Sequence, residues 1–318
     1  MNEGVPRGRT TVGWSGSGAS RRALRWALAE ALDAHGSVHV VAVDPPHGPP
    51  PSRSLPAPPT APLPSASLAA ALAEEREHLP GRFPPVTTSV VTGDPVTALL
   101  VAAASCGWLV LGCGRRVGPL GPGDGQVLRG CLARSPVPVV LVGPQAVLTP
   151  PRRLLVVSDA ALAAASDAAV EFTAQRARAT GWDVRLLTTW SPPPGTPASR
   201  DRRSPLALQR HRGARERLAA AAHRPVVADV VQAPPGDAVA RGARVGDLVV
   251  AATADAATLP VRTLRAPIVL VPRAPRTVVL PDTATARGAA QGGPAGRSAA
   301  AGTQPSTSTG RPSASSRT

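Results

Sequence analysis

The apolar positions of the chain follow two rhythms that take turns. Short, nearly unbroken runs of Val and Leu alternate with longer stretches in which Ala and Leu return every three or four positions. The first rhythm is that of strands buried on both faces, and the second that of helices showing one apolar stripe. The pattern predicts strands over Thr10–Ser15, Val38–Val43, Val86–Val91, Trp108–Leu111 and Val139–Val142. Between them it predicts helices over Ser20–Gly36, with Ser20 as the N-cap, and over Ser67–Leu79, Pro95–Ala104 and Gln126–Ala133. The proline-rich stretch from Asp44 to Ser65 fits neither a helix nor a central strand and is expected to be a loop.

The order then repeats. Strands are predicted over Leu154–Ser158, Val184–Thr189, Val226–Val231, Leu248–Ala251 and Ile268–Val271, with helices over Ser166–Thr180, Leu206–Ala222 and a short one ending near Arg244. Gly93-Asp94-Pro95 matches Gly236-Asp237-Ala238, and Ser135-Pro136-Val137-Pro138 matches Leu264-Arg265-Ala266-Pro267. This is the mark of an internal duplication. The expected architecture is α/β: two doubly wound, five-stranded parallel-sheet domains, at 9–145 and 151–273. Beyond 273, Ser, Thr, Ala, Gly, Arg and Pro dominate, which predicts a disordered tail over 274–318.

Composition narrows the function classes. The 318 residues carry a formal net charge of +15, yet there is no lysine, and the arginines are scattered rather than clustered with stacking aromatics. A nucleic-acid partner is therefore not expected. Cys106, Cys113 and Cys131 form no CxxC pair, which argues against a disulfide framework or a zinc site. The six histidines show no metal-ligand spacing. The polar, glycine-rich start and the lack of a long apolar run predict a cytoplasmic protein without signal peptide or membrane span. No Ser-His-Asp order, paired-carboxylate motif or G-x-S-x-G turn points to a catalytic residue, so the chain is not expected to be an enzyme.

The run Val12-Gly13-Trp14-Ser15-Gly16-Ser17-Gly18-Ala19-Ser20, followed by an Ala-Leu helix, resembles the opening of the universal stress protein family, V-G-x-D-G-S-x-x-S. Leu109-Val110-Leu111-Gly112 resembles that family's fourth strand, and Pro136–Val142 its fifth. The resemblance extends over residues 9–273 in two copies. It implies an adenine-nucleotide-hydrolase-like fold and, in nucleotide-binding members, a G-x2-G-x9-G-[ST] phosphate loop after strand four with an Asp at the end of strand one. Carried onto this chain, the first copy offers Gly13 and Ser15 (in the Asp position), Val43 at the adenine pocket, and Gly112, Arg115, Gly125 and Gln126 along the loop. Arg115 stands where the second glycine belongs and Gln126 where the Ser or Thr belongs. The second copy keeps the acid as Asp159, followed by what looks like a longer turn, but lacks the loop. One copy thus has the loop without the acid, and the other the acid without the loop.

Three readings follow. The first is a stress-response or regulatory protein with weak ATP binding in its first domain, Mg entering only with the nucleotide. The second is a scaffold that binds no nucleotide and acts on protein partners not identifiable here. The third is a slow nucleotide hydrolase. Next to Arg115 and Arg116, Cys113 is a candidate for a lowered pKa, although a loop thiol without a role is the commoner case. The resemblance also implies pairing through strand five. Both Val139–Val142 and Ile268–Val271 are apolar at successive positions, so the two copies are expected to join there as an intramolecular pseudo-dimer.

Overall fold

The computed structural model describes residues 8–44, 64–79, 82–114, 125–192, 204–222 and 225–273. Arg115 and the expected disordered tail lie outside the described residues. In the first half the elements run β1 (Arg9–Trp14), α1 (Gly18–Asp33), β2 (Ser37–Asp44), α2 (Pro64–His78), β3 (Val86–Thr92), α3 (Pro95–Ala103), β4 (Trp108–Gly112), α4 (Gln126–Arg134) and β5 (Val139–Val142). The second half runs β6 (Arg153–Asp159), α5 (Ala163–Thr180), β7 (Asp183–Trp190), α6 (Pro205–Ala222), β8 (Val227–Gln232), α7 (Pro235–Gly242), β9 (Asp247–Ala252), a single 3-10 turn (Thr253–Asp255) and β10 (Ile268–Val271).

All the strands join one ten-stranded sheet in the order β3-β2-β1-β4-β5-β10-β9-β6-β7-β8. Within each half every pairing is parallel. The halves meet where β5 and β10 run antiparallel, with Ile268 opposite Leu141 and Leu270 opposite Val139. The described residues belong to one compact unit.

Successive side chains on a strand point to opposite faces, so the sheet divides two cores. On one face Val12, Trp14, Val40, Val110, Val140, Val156, Leu186 and Val250 pack under α1, α2, α5 and α6. On the other, Leu109, Leu111, Leu141, Leu155, Val249 and Leu270 pack under α3, α4 and α7. With so few aromatics, large rings are concentrated between the halves. Trp26 meets Trp108 edge-on at 5.8 Å, and Trp108 lies 6.3 Å from Phe172 of the other half. The Arg176 guanidinium lies over the rings of Trp108 and Trp182 and pairs with Glu30. Burial raises the Glu30 pKa although Arg176 pulls it down.

The N-cap of α1 is Ser17 rather than Ser20. Ser17 is extended (φ −78°, ψ 159°) and accepts a hydrogen bond from the Ser20 amide at 3.2 Å. Counted from Ser15 and from Asp159, the turn is one residue longer in the second half, as expected: two residues (16–17) lie between Ser15 and α1, and three (160–162) between Asp159 and α5.

Candidate functional site

Strand register fixes which residues of the two halves correspond. Leu109 pairs with Thr11 and Val139, while Val249 pairs with Leu155 and Ile268. Counting along the strands makes Trp14 the counterpart of Ser158, Ser15 that of Asp159, and Gly112 that of Ala252. In an open parallel sheet, ligands bind beyond the strand C-termini where the strand order reverses. In the first half that point lies between β1 and β4, and in the second between β6 and β9.

At the first of these points most polar capacity is spent locally. Ser15 is exposed, and its hydroxyl lies 2.9 Å from that of Ser17. Asp44, at the end of β2, is buried and accepts from the Ser65 amide at 3.2 Å and the Ser65 hydroxyl at 2.6 Å, so it caps α2 from a distance. The Trp14 indole N–H donates to the Pro64 carbonyl at 2.9 Å and holds the same first turn of α2 down. Gly16 has φ +71°, and a Cβ there would stand 2.9 Å from the Ser67 hydroxyl.

Two of the predicted glycines serve packing. A Cβ on Gly112 would stand 2.0 Å from the Ala19 carbonyl oxygen, so the end of β4 can touch α1 only without a side chain. A Cβ on Gly13 would meet Leu111 at 2.8 Å. Val43 is half-buried and packs against the core under α3 and α4.

Gly125 and Gln126 are different. Gly125 is the N-cap of α4, makes no side-chain cap, and a Cβ there would meet nothing within 4 Å. Both residues are exposed, and α4 has no acidic residue in its first turn. Among the described residues the first amides of α4 therefore have no side-chain acceptor, the state in which a helix start attracts an anion.

Cys113, beside Gly112, is buried. Burial pushes its thiol up to about 12, against the smaller opposing pull of Arg262 from the second half. The candidate reading of Cys113 as a thiol of lowered pKa is overturned, because desolvation of the thiolate outweighs nearby positive charge.

This half, residues 7–143, matches the universal stress protein family. It belongs to that family. No curated protein matches the chain. Among solved structures, a universal stress protein from Archaeoglobus fulgidus is 16% identical, with a TM-score of 0.56 over 84% of this chain and 99% of that one. That likeness reaches beyond the universal stress domain and shows that the second half shares its fold. A putative universal stress protein from Pseudomonas aeruginosa is 12% identical, with a TM-score of 0.47 over 84% of this chain and 94% of that one. A universal stress protein solved in complex with cAMP is 22% identical, with a TM-score of 0.29 over 42% of this chain and 93% of that one.

The second half answers the universal stress domain with opposite charge. Asp159 ends β6, and its carboxylate accepts from the Ala161 amide at 2.9 Å. Asp255 follows β9 in the 3-10 turn, is 3% exposed, and has one carboxylate oxygen without a hydrogen-bond partner among the described residues. Burial, reinforced by the negative charge of Asp159, raises its pKa to about 6. Where the first half offers helix amides, the second offers two carboxyl groups. Asp159 is visible in the family pattern, whereas Asp255 belongs to no motif, and only the fold brings the two together. No group of His, Cys, Asp or Glu among the described residues has the makings of a metal site.

Proposed function

We propose that the chain is a non-enzymatic stress-response regulator that takes one adenine nucleotide, weakly, in its first half and none in its second. The observation that carries this reading is the uncapped start of α4 at Gly125 and Gln126, set against the Asp159–Asp255 pair at the matching end of the second half. Phosphates gain from helix amides and lose beside carboxylates.

The residues fit the phosphate part of ATP better than the adenosine part. Gly125 and Gln126 would hold phosphate oxygens, and Arg115 would supply charge in place of a glycine amide. Ser15 offers a hydroxyl where a carboxylate would grip a ribose, which supports weak binding. Mg would accompany the nucleotide. The free, buried cysteines suit a reducing cytoplasm.

Calorimetric titration with ATP, ADP and AMP in the presence of magnesium tests this. One saturable site per chain, lost in Gly125→Trp and formed without release of product, is the expected result. Product release would instead identify a slow hydrolase. The absence of heat at millimolar ATP would favour a protein-binding scaffold, a reading that draws on Gly112 being committed to α1 rather than to a ligand.

A further inference from the structure

The two halves differ at one buried position, and beside it the second half carries a cavity. Trp14 is 4% exposed and fills the space beneath the start of α2. Its counterpart Ser158 is equally buried but far smaller, and beside it, between α5 and α6, lies a cavity of about 480 Å³ that opens to solvent. Ser158 and Asp167 line it from the side of β6 and α5, and Leu206 and Ala214 of α6 contribute apolar lining. A cavity of this size accommodates a small organic molecule.

The polar groups around it carry a net positive charge. Arg217 lines the cavity but is paired with Asp167 at 2.5 Å. Arg210 also lines it, and its Nε is buried without a hydrogen-bond partner among the described residues. A buried guanidinium N–H without an acceptor is unfavourable unless something supplies one. Gly213 lies one turn further along α6, and a Cβ there would meet nothing within 4 Å. No close approach of another element requires glycine at this place in the helix, and its bareness keeps the cavity open.

We infer that this cavity between α5 and α6 binds a small organic oxyanion, a carboxylate or phosphate monoester on an apolar body. Its charged end meets Arg210 and its apolar end lies against Leu206 and Ala214. The site is separate from the nucleotide site at α4 and does not depend on it.

Fluorine NMR of the full chain with fluorobenzoate and fluorophenyl phosphate tests the inference, with neutral fluorobenzamide as the control. Saturable binding of at least one anion at millimolar concentration is expected. Arg210→Gln should weaken it at least about tenfold, the loss that follows removal of a charge-assisted hydrogen bond. Ser158→Trp, which rebuilds the plug of the first half, should abolish it. Gly213→Leu should do the same from the helix side, and serves if Ser158→Trp does not fold. Gly125→Trp should leave it unchanged. The preferred anion separates carboxylate from phosphate recognition. Failure of both anions to saturate, equal binding of the benzamide, or indifference to Arg210→Gln and Gly213→Leu would each overturn the inference.

Discussion

Gly112 and Asp255 show how far individual residues can stand from the roles their neighbours suggest. Gly112 is the first glycine of a phosphate-loop pattern, yet its missing side chain admits the Ala19 carbonyl. Backbone cannot yield as a flexible side chain does, so Gly112→Ala should cost about 2 kcal/mol or more in urea unfolding. Gly114→Ala, with open space around it, should stay within about 0.5 kcal/mol of the parent. Asp255 makes a pH prediction. Its folded pKa of about 6 lies above its ordinary value of 3.8, so the folded chain keeps a proton that the unfolded chain has released. Stability should therefore fall as pH rises through that window and level off above it. Asp255→Asn should remove this slope, stabilising by up to about 3 kcal/mol above pH 6 and hardly at all below pH 4, as urea melts at both ends would show. Sequence made Ser15 and Asp159 legible because a motif names their position. It did not reveal Asp255, whose significance comes from a burial and a neighbour that only folding creates.

The strands were the most legible elements. Burial on both faces leaves unbroken apolar runs, and β5 and β10 lie where those runs lie. Helix starts were less legible, because what fixes them need not be adjacent. Helix α2 begins at Pro64, not Ser67, with proline in a place where a missing N–H costs little. The carboxylate that caps it, Asp44, belongs to the preceding strand, and the indole that pins it belongs to β1. The Ser20 hydroxyl, which looked like a cap, donates to the Ser17 carbonyl at 2.9 Å inside the first turn of α1. The cavity between α5 and α6 could have been suspected from the repeat alone, since Trp14-Ser15 aligns with Ser158-Asp159. What lies beside that replacement depends on how α5 and α6 pack, which periodicity does not specify.

For the whole molecule the decisive contact is the antiparallel pairing of β5 with β10, which makes two sheets into one. Leu141 and Leu270 are fully buried beside this seam, on the face covered by α3, α4 and α7. A guanidinium there would have neither water nor an acid partner, so Leu270→Arg should part the halves or bring the protein out of solution. Small-angle scattering should show a larger radius of gyration or aggregation, and unchanged compactness would show that the seam is not what holds the halves together. The Arg176–Glu30 pair and the Trp26, Trp108 and Phe172 rings reinforce the same junction from the opposite face. Because each half finds its mate on its own polypeptide, the union obeys no law of mass action. Dilution leaves it intact, and the tether holds the mate at a local concentration that a free rival strand must exceed to displace it. The ratio of the α4 helix start to its acidic counterpart is accordingly written into the gene as one to one, whatever the abundance of the protein.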